Sequence, residues 1–128
     1  MTSESGAKLR LKKDRQIRFV LEQGQLFRGR HVLLRALQIS KIFPPHEGQG
    51  PLLAVVISKK KEKKAVIRNR MKRQLREIFR LKQAEISSEN AYVLVARKVD
   101  KKTSYHDLEK DFLELLQKSN AEQKREKK

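Results

Sequence analysis

Lys59 to Lys82 reads KKKEKKAVIRNRMKRQLREIFRLK, and the spacing of its apolar residues decides the fold. From Ala65 onward Ile67, Met71, Leu75, Ile78 and Phe79 recur at three- and four-residue steps, which puts them on one stripe of a helix. Arg68, Lys72, Arg73, Arg76 and Arg80 take the remaining face. The stretch carries twelve Lys and Arg against Glu62 and Glu77, a net of +10 within a chain of +17. Such a helix can bury one side in a core and offer guanidinium and ammonium groups to a polyanion on the other. A merely solvated helix face seldom needs that density.

On either side of the helix lies a short continuous apolar run, Leu52–Ser58 (LLAVVIS) and Tyr92–Ala96 (YVLVA). Runs of this length without polar alternation read as strands covered on both faces. Two buried strands around a helix form a βαβ unit with parallel neighbours. Further out, Leu9, Lys13, Ile17, Val20 and Leu21 suggest a short amphipathic helix, stopped by Gly24 in a left-handed C′ conformation. Its outer face is basic through Lys12, Lys13, Arg15 and Arg18. Gln25–Ile39 is aliphatic and partly aromatic, and reads as one strand, or two broken at Gly29. Pro44–Pro51 (PPHEGQGP) excludes helix and central strand and is expected to be a hairpin-like connection.

After the Tyr92 strand, Thr103 or Ser104 caps a last helix, with Asp107 three residues after Ser104 as in a capping box. Leu108, Phe112, Leu115 and Leu116 form its buried face. The expected organisation is a polar disordered lead over 1–8, one domain over 9–118, and a disordered basic tail over 119–128. The fold class is α/β in the sense of an α+β sandwich: a small mixed sheet with helices, in the order α-β-β-(β)-α-β-α. At 128 residues with 38% hydrophobic content there is material for one core.

A pI near 10.5, with Lys and Arg outnumbering Asp and Glu 32 to 15, implies a polyanionic partner and makes nucleic acid the leading one. A membrane is disfavoured by the lack of an apolar run of about 18 residues. The absence of cysteine excludes disulfides and thiolate metal sites and fits a reducing cytoplasm. No catalytic residue is expected on the protein. His31, His46 and His106 stand alone, no carboxylate pair suggests two-metal hydrolysis, and Asp14, Asp107 and Asp111 read as helix-end or surface charges.

Ser58-Lys59-Lys60, then Ala65-Val66-Ile67-Arg68-Asn69-Arg70-Met71-Lys72-Arg73, then Leu75-Arg76-Glu77-Ile78-Phe79-Arg80 resembles the signature of the bacterial ribonuclease P protein component. The similarity runs over roughly Leu9 to Leu116. The resemblance implies the small basic subunit of a ribonucleoprotein endonuclease that removes the 5′ leader of precursor tRNA, with the chemistry on a catalytic RNA that uses Mg²⁺. It also implies a left-handed βαβ crossover, against the usual preference. By position, Lys59, Lys60, Arg68, Asn69, Arg70, Lys72, Arg73 and Arg76 would contact RNA backbone. Lys13, Ile17 and Leu21, with sheet residues, would line a cleft for the single-stranded leader, although by helical spacing alone Ile17 and Leu21 read as core. The family commonly has an aromatic residue where this chain has Ile17, and often another where it has Leu21, so leader binding here is expected to rest less on base stacking and more on charge. The loop Lys61–Lys64 is longer than the family's by one residue and lacks its glycine.

The implied partners are the catalytic RNA and precursor tRNA, with no membrane and no obligate protein partner, and the expected location is the cytoplasm. The competing readings are a structural, ribosomal-type RNA-binding protein and a DNA-binding protein using the basic helix for recognition. The second is disfavoured because a buried strand, not a short helix and turn, precedes that helix.

Overall fold

The two apolar runs around the basic helix become neighbours. Strand β3 (Leu52–Val56) lies parallel to β4 (Asn90–Ala96), with Ala54 opposite Val93, and the helix α2 (Ala65–Leu81) crosses between them. The computed structural model describes residues 10–126. The expected disordered lead over 1–8 lies outside these residues. The remaining elements are α1 (Asp14–Gln23), β1 (Gln25–Arg28), β2 (Val32–Gln38) and α3 (Tyr105–Glu126). The strands form one mixed sheet in the order β1-β2-β4-β3, antiparallel except for the β3–β4 pair.

Alternation along the strands sends side chains to two cores. On one face Leu34, Val55, Tyr92 and Leu94 meet Met71, Leu75, Ile78 and Phe79 of α2 and Leu108, Phe112, Leu115 and Leu116 of α3. Phe79 sits edge-on to Tyr92 and stacks on Phe112, with ring centroids 6.2 and 6.3 Å apart. On the other face Leu52, Ala54, Ala91 and Val93 meet Leu11 and Val20. The sheet is therefore sandwiched between α1 and the α2–α3 pair. The central strand β4 is buried along its whole length except at Val95, which is why it reads as a continuous apolar run.

Five expectations need correction. The first helix starts at Asp14, not near Leu9: Arg10 bridges to Leu53 in parallel fashion, and Leu11 donates its N–H to the Leu53 carbonyl at 3.0 Å. Extending this segment along β3 sinks Leu11 into the second core. Gly24 is not left-handed, with φ −71° and ψ 154°. Its lack of a side chain answers to crowding instead, since a Cβ would lie 2.5 Å from the Val20 carbonyl oxygen and 3.1 Å from that of Ala36.

The Pro44–Pro51 segment is not a hairpin connection, because β4 lies between β2 and β3 and the loop must carry the chain across it. Gln16, buried in α1, anchors the loop by donating from Nε2 to the Pro44 carbonyl at 2.8 Å. The last helix does not give way to a coil at Ser119 but continues to Glu126. Ser119 is buried, Asn120 donates to the Glu85 carbonyl at 3.2 Å, and the Asn90 amide reaches both Gln123 (3.0 Å) and the Tyr92 hydroxyl (3.1 Å). Burial pushes the Tyr92 hydroxyl above the usual tyrosine range, even though hydrogen bonds from Asn90, Ser119 and Ser87 oppose it.

Asp111 is the fifth correction. It is neither a helix-end nor a surface charge: it is 6% exposed, and its carboxylate accepts the backbone N–H groups of Arg30 (2.9 Å), His31 (2.8 Å) and Val32 (2.9 Å). Those residues turn the β1–β2 hairpin, so the break at Gly29 does produce two strands. The capping box is present as read, with Ser104 as the cap: Asp107 N donates to Ser104 Oγ at 3.1 Å and Ser104 N to Asp107 Oδ2 at 3.0 Å. Thr103 instead accepts the Asp100 N–H at 3.0 Å.

Candidate nucleic-acid interface

The turn that delivers β3 to α2 needs no glycine. Ser58 O accepts the N–H groups of Lys61 and Glu62, both at 3.1 Å, and Lys64 N donates to Glu62 Oε2 at 3.1 Å. No non-glycine residue among those described has a positive φ. Lys59, Lys60, Lys61, Lys63 and Lys64 are exposed along this turn. They stand beside a helix N-terminus that has no side-chain cap and no acidic residue in its first turn, so lysine charge and the positive end of the macrodipole add.

The basic residues of α2, together with Asn69, divide into three groups. Asn69 and Arg73 are exposed on the outer face, three and seven residues after Val66, which is 81% exposed. Arg68, Lys72 and Arg76 follow at four-residue steps along one flank, all half-buried. Arg70 turns to the opposite flank, where Nη2 lies 3.5 Å from the Lys101 carbonyl oxygen and Nε is buried without a partner among the described residues. Arg68 Nη1 donates to the carbonyls of Glu62 (2.8 Å) and Lys63 (2.9 Å), so this guanidinium staples the turn to the helix. Arg80 belongs to none of these groups, since Glu77 accepts from it at 2.5 Å. Their hydrogen bond raises the Arg80 pKa and lowers that of Glu77, and their mutual attraction adds to both shifts.

Sequence inspection missed Arg10. The extended segment beside β3 brings it to the half-buried flank of α2, and burial followed by repulsion from Arg10 lowers the Arg76 pKa. Arginine stays protonated regardless. Arg10 thus adds its positive charge to that flank. Nothing in the first-helix periodicity reveals this, because Arg10 is not in the helix.

The other candidate residues lie on the opposite face of the sheet. Lys13, at the N-cap of α1, stands four residues before Ile17 and eight before Leu21 within the helix; Lys13 is exposed and the other two are half-buried. Ile17 and Leu21 pack at the margin of the second core together with Leu37, Val56 and Val95. They are thus core residues on one side and accessible on the other. The strip of sheet beside them, Leu33, Val56 and Val95, is also only half-buried. The basic turn Lys59–Lys64 follows directly on the end of β3, between this strip and α2.

Comparison with known proteins gives these surfaces a family. The ribonuclease P family profile matches residues 6–120. The chain belongs to the ribonuclease P protein component family. The ribonuclease P protein component of Syntrophomonas wolfei is 34% identical over 112 residues, covering 88% of this chain and 87% of the relative. That of Listeria monocytogenes is 29% identical over 109 residues, covering 85% and 86%. The fold matches the ribonuclease P protein of Staphylococcus aureus with a TM-score of 0.73 at 22% identity, covering 87% of this chain and 94% of that one. The mixed four-stranded sheet with its three α-helices is an α+β fold that matches the solved ribonuclease P protein. Among the described residues no helix is long and apolar enough to cross a membrane, and no group of three His, Asp or Glu could hold a metal ion.

Proposed function

We propose that this chain is the protein subunit of ribonuclease P: it binds the catalytic RNA through α2 and the turn before it, and the 5′ leader of precursor tRNA in the cleft beside α1. The observation that carries the reading is the outer face of α2 with its preceding turn. Within a ribonuclease P protein, Lys59, Lys60, Asn69 and Arg73 are exposed there, and none of their side chains has a hydrogen-bond or ion-pair partner among the described residues. Cations held on a helix contact phosphates without reading sequence, which suits an RNA recognised by its shape.

Lys72 and Arg76 extend this surface along one flank. Arg68 and Arg70 act at its edges, each with part of its guanidinium engaged by backbone carbonyls; with Arg70 Nε buried, Arg70 would meet phosphate through its terminal Nη groups. In the cleft Lys13 would meet leader phosphates while Ile17 and Leu21 offer apolar contact without a ring for stacking. Cleavage chemistry and its Mg²⁺ belong to the RNA. The protein lowers phosphate repulsion between RNA subunit and substrate, and so the Mg²⁺ needed for leader removal. The cysteine-free sequence suits the bacterial cytoplasm.

The test is multiple-turnover cleavage of a precursor tRNA by a bacterial ribonuclease P RNA at low Mg²⁺, with this protein or with its Lys59→Ala/Lys60→Ala/Arg73→Ala variant. These three side chains have no partner among the described residues, so the variant is expected to keep its fold and lose most of the stimulation. Tight RNA binding with no change in cleavage rate, even with the RNA subunit of the same organism, would replace this reading with a structural RNA-binding one.

A further inference from the structure

The basic surface does not end at α2. Arg70 reaches the Lys101 carbonyl, and from there the β4–α3 loop (97–104) leads to the tip of the β1–β2 hairpin. The two segments are bound to each other by main-chain contacts. Arg97 N and Lys98 N donate to the His31 carbonyl at 2.8 and 3.1 Å, and Arg97 Nη1 donates to the Gly29 carbonyl at 2.9 Å. His31 Nδ1 lies 2.9 Å from the Lys98 carbonyl oxygen. Asp111 holds the hairpin from beneath through three N–H groups. Between the segments is a shallow depression whose rim carries Arg30, His31, Lys98 and Lys102.

Two carboxylates also border the depression, and both are engaged by the backbone. Asp100 Oδ1 accepts the Lys102 N–H at 2.8 Å, and Asp107 Oδ2 accepts that of Ser104 at 3.0 Å while lying in the first turn of α3. None of Arg30, Lys98 and Lys102 forms an ion pair among the described residues, and all three are exposed. Exposed Arg97 and Lys101 extend the same sign of charge towards α2. These cations project from a backbone already fixed by hydrogen bonds, so a bound anion would have little main chain left to order.

We propose that the hairpin tip and the β4–α3 loop form a second phosphate-binding site, which takes a segment of RNA backbone distinct from the one on α2. The inference rests on the ribonuclease P reading and adds to it a specific surface. The RNA subunit would then wrap a corner of the protein, from the outer face of α2 past Arg70 and Lys101 to Arg30 and Lys102.

The experiment compares the full chain with two variants, Arg30→Ala/Lys98→Ala/Lys102→Ala on the loop and Lys59→Ala/Lys60→Ala/Arg73→Ala on α2. Affinity for a bacterial ribonuclease P RNA is measured across a salt series, with hydroxyl-radical footprinting of the complexes and thermal melts to establish that both variants fold. Each lost phosphate contact lowers the slope of log affinity against log salt by about 0.7–0.9. The loop variant is expected to lose about 2 in slope and about tenfold in affinity, with protection disappearing from an RNA segment that the α2 variant still protects. Unchanged slope and affinity for the loop variant, beside a weakened α2 variant, would overturn this second site and leave the ribonuclease P reading standing. Loss of the same protected segment in both variants would also overturn it. If neither variant weakened binding, the reading of α2 would fail as well.

Discussion

Replacing Asp111 with alanine removes the acceptor of three backbone N–H groups at 2.8–2.9 Å. Hydrogen bonds to a charged group are worth about 1.5–3 kcal/mol each, but a donor that can turn to water recovers much of that. Arg30 and His31 lie at the hairpin tip, where water can reach their N–H groups. Val32 is 1% exposed, so its N–H is stranded. The expected loss is therefore about 3–5 kcal/mol, not the sum of three full bonds. Gly29 supplies the control, because a Cβ there would lie 2.6 Å from both Asp111 carboxylate oxygens. Gly29→Ala should cost about 1–3 kcal/mol in the native background through this overlap, and much less once Asp111 is alanine. The two changes should thus couple by about 1 kcal/mol or more. With no tryptophan in the chain, urea unfolding is best followed by far-ultraviolet circular dichroism, at a common m-value. A loss below about 1 kcal/mol for Asp111→Ala, or an equal cost of Gly29→Ala in both backgrounds, would refute the assignment of Asp111 as the hairpin's anchor.

Two further outcomes follow from the same geometry. Arg68→Ala should raise amide exchange across Lys61–Lys64 and weaken RNA binding together, whereas Arg73→Ala should weaken binding and leave exchange unchanged; equal exchange in the two variants would remove the staple role of Arg68. Hydrogen bonds from the Ser104 backbone and side chain hold the Asp107 carboxyl below the usual aspartate range. The stability it contributes is present above the unfolded value near 3.9 and is lost as pH falls through the lower folded value. Asp107→Asn should therefore flatten the acid limb of urea midpoints measured from pH 5 to 2, and an unchanged limb would count against the capping box as its source.

What could be read from the sequence was whatever repeats over short distances. The stripe Ile67, Met71, Leu75, Ile78 and Phe79 announced α2, and its observed span Ala65–Leu81 begins at the residue where the periodicity begins. The runs LLAVVIS and YVLVA announced buried strands because both faces of β3 and β4 are covered except at Val56 and Val95. Contacts between residues distant in the chain were not legible. Asp111 meets donors about eighty positions away, so it looked like a surface acid on a helix. The first helix was expected to begin near Leu9 because Leu9, Lys13, Ile17 and Leu21 stand at four-residue steps, whereas pairing with Leu53 holds Arg10 and Leu11 extended and delays the helix to Asp14. The continuation of α3 past Ser119 depended on Asn90 and Glu85, which lie outside the helix. In the candidate site, charge identified the surface, while the engagement of Arg68 with Glu62 and Lys63, and the placing of Arg70 on the opposite flank, required coordinates.

The position of β4 at the centre of the sheet bears on the order in which the protein can fold as it is synthesised. Three of the four strands leave the ribosome before β4 does, yet among them only β1 and β2 are partners. Strand β3 has only the short Arg10–Leu11 segment beside it until Asn90–Ala96 has emerged, and α2 has no α3 to pack against. For the time needed to add those residues, the basic helix and its apolar stripe travel together on an unfolded chain, next to the abundant RNA of the ribosome itself. Closure of the sheet around β4 is thus also the event that separates the two faces of α2, hiding the stripe in the core and leaving only the cations to select a partner.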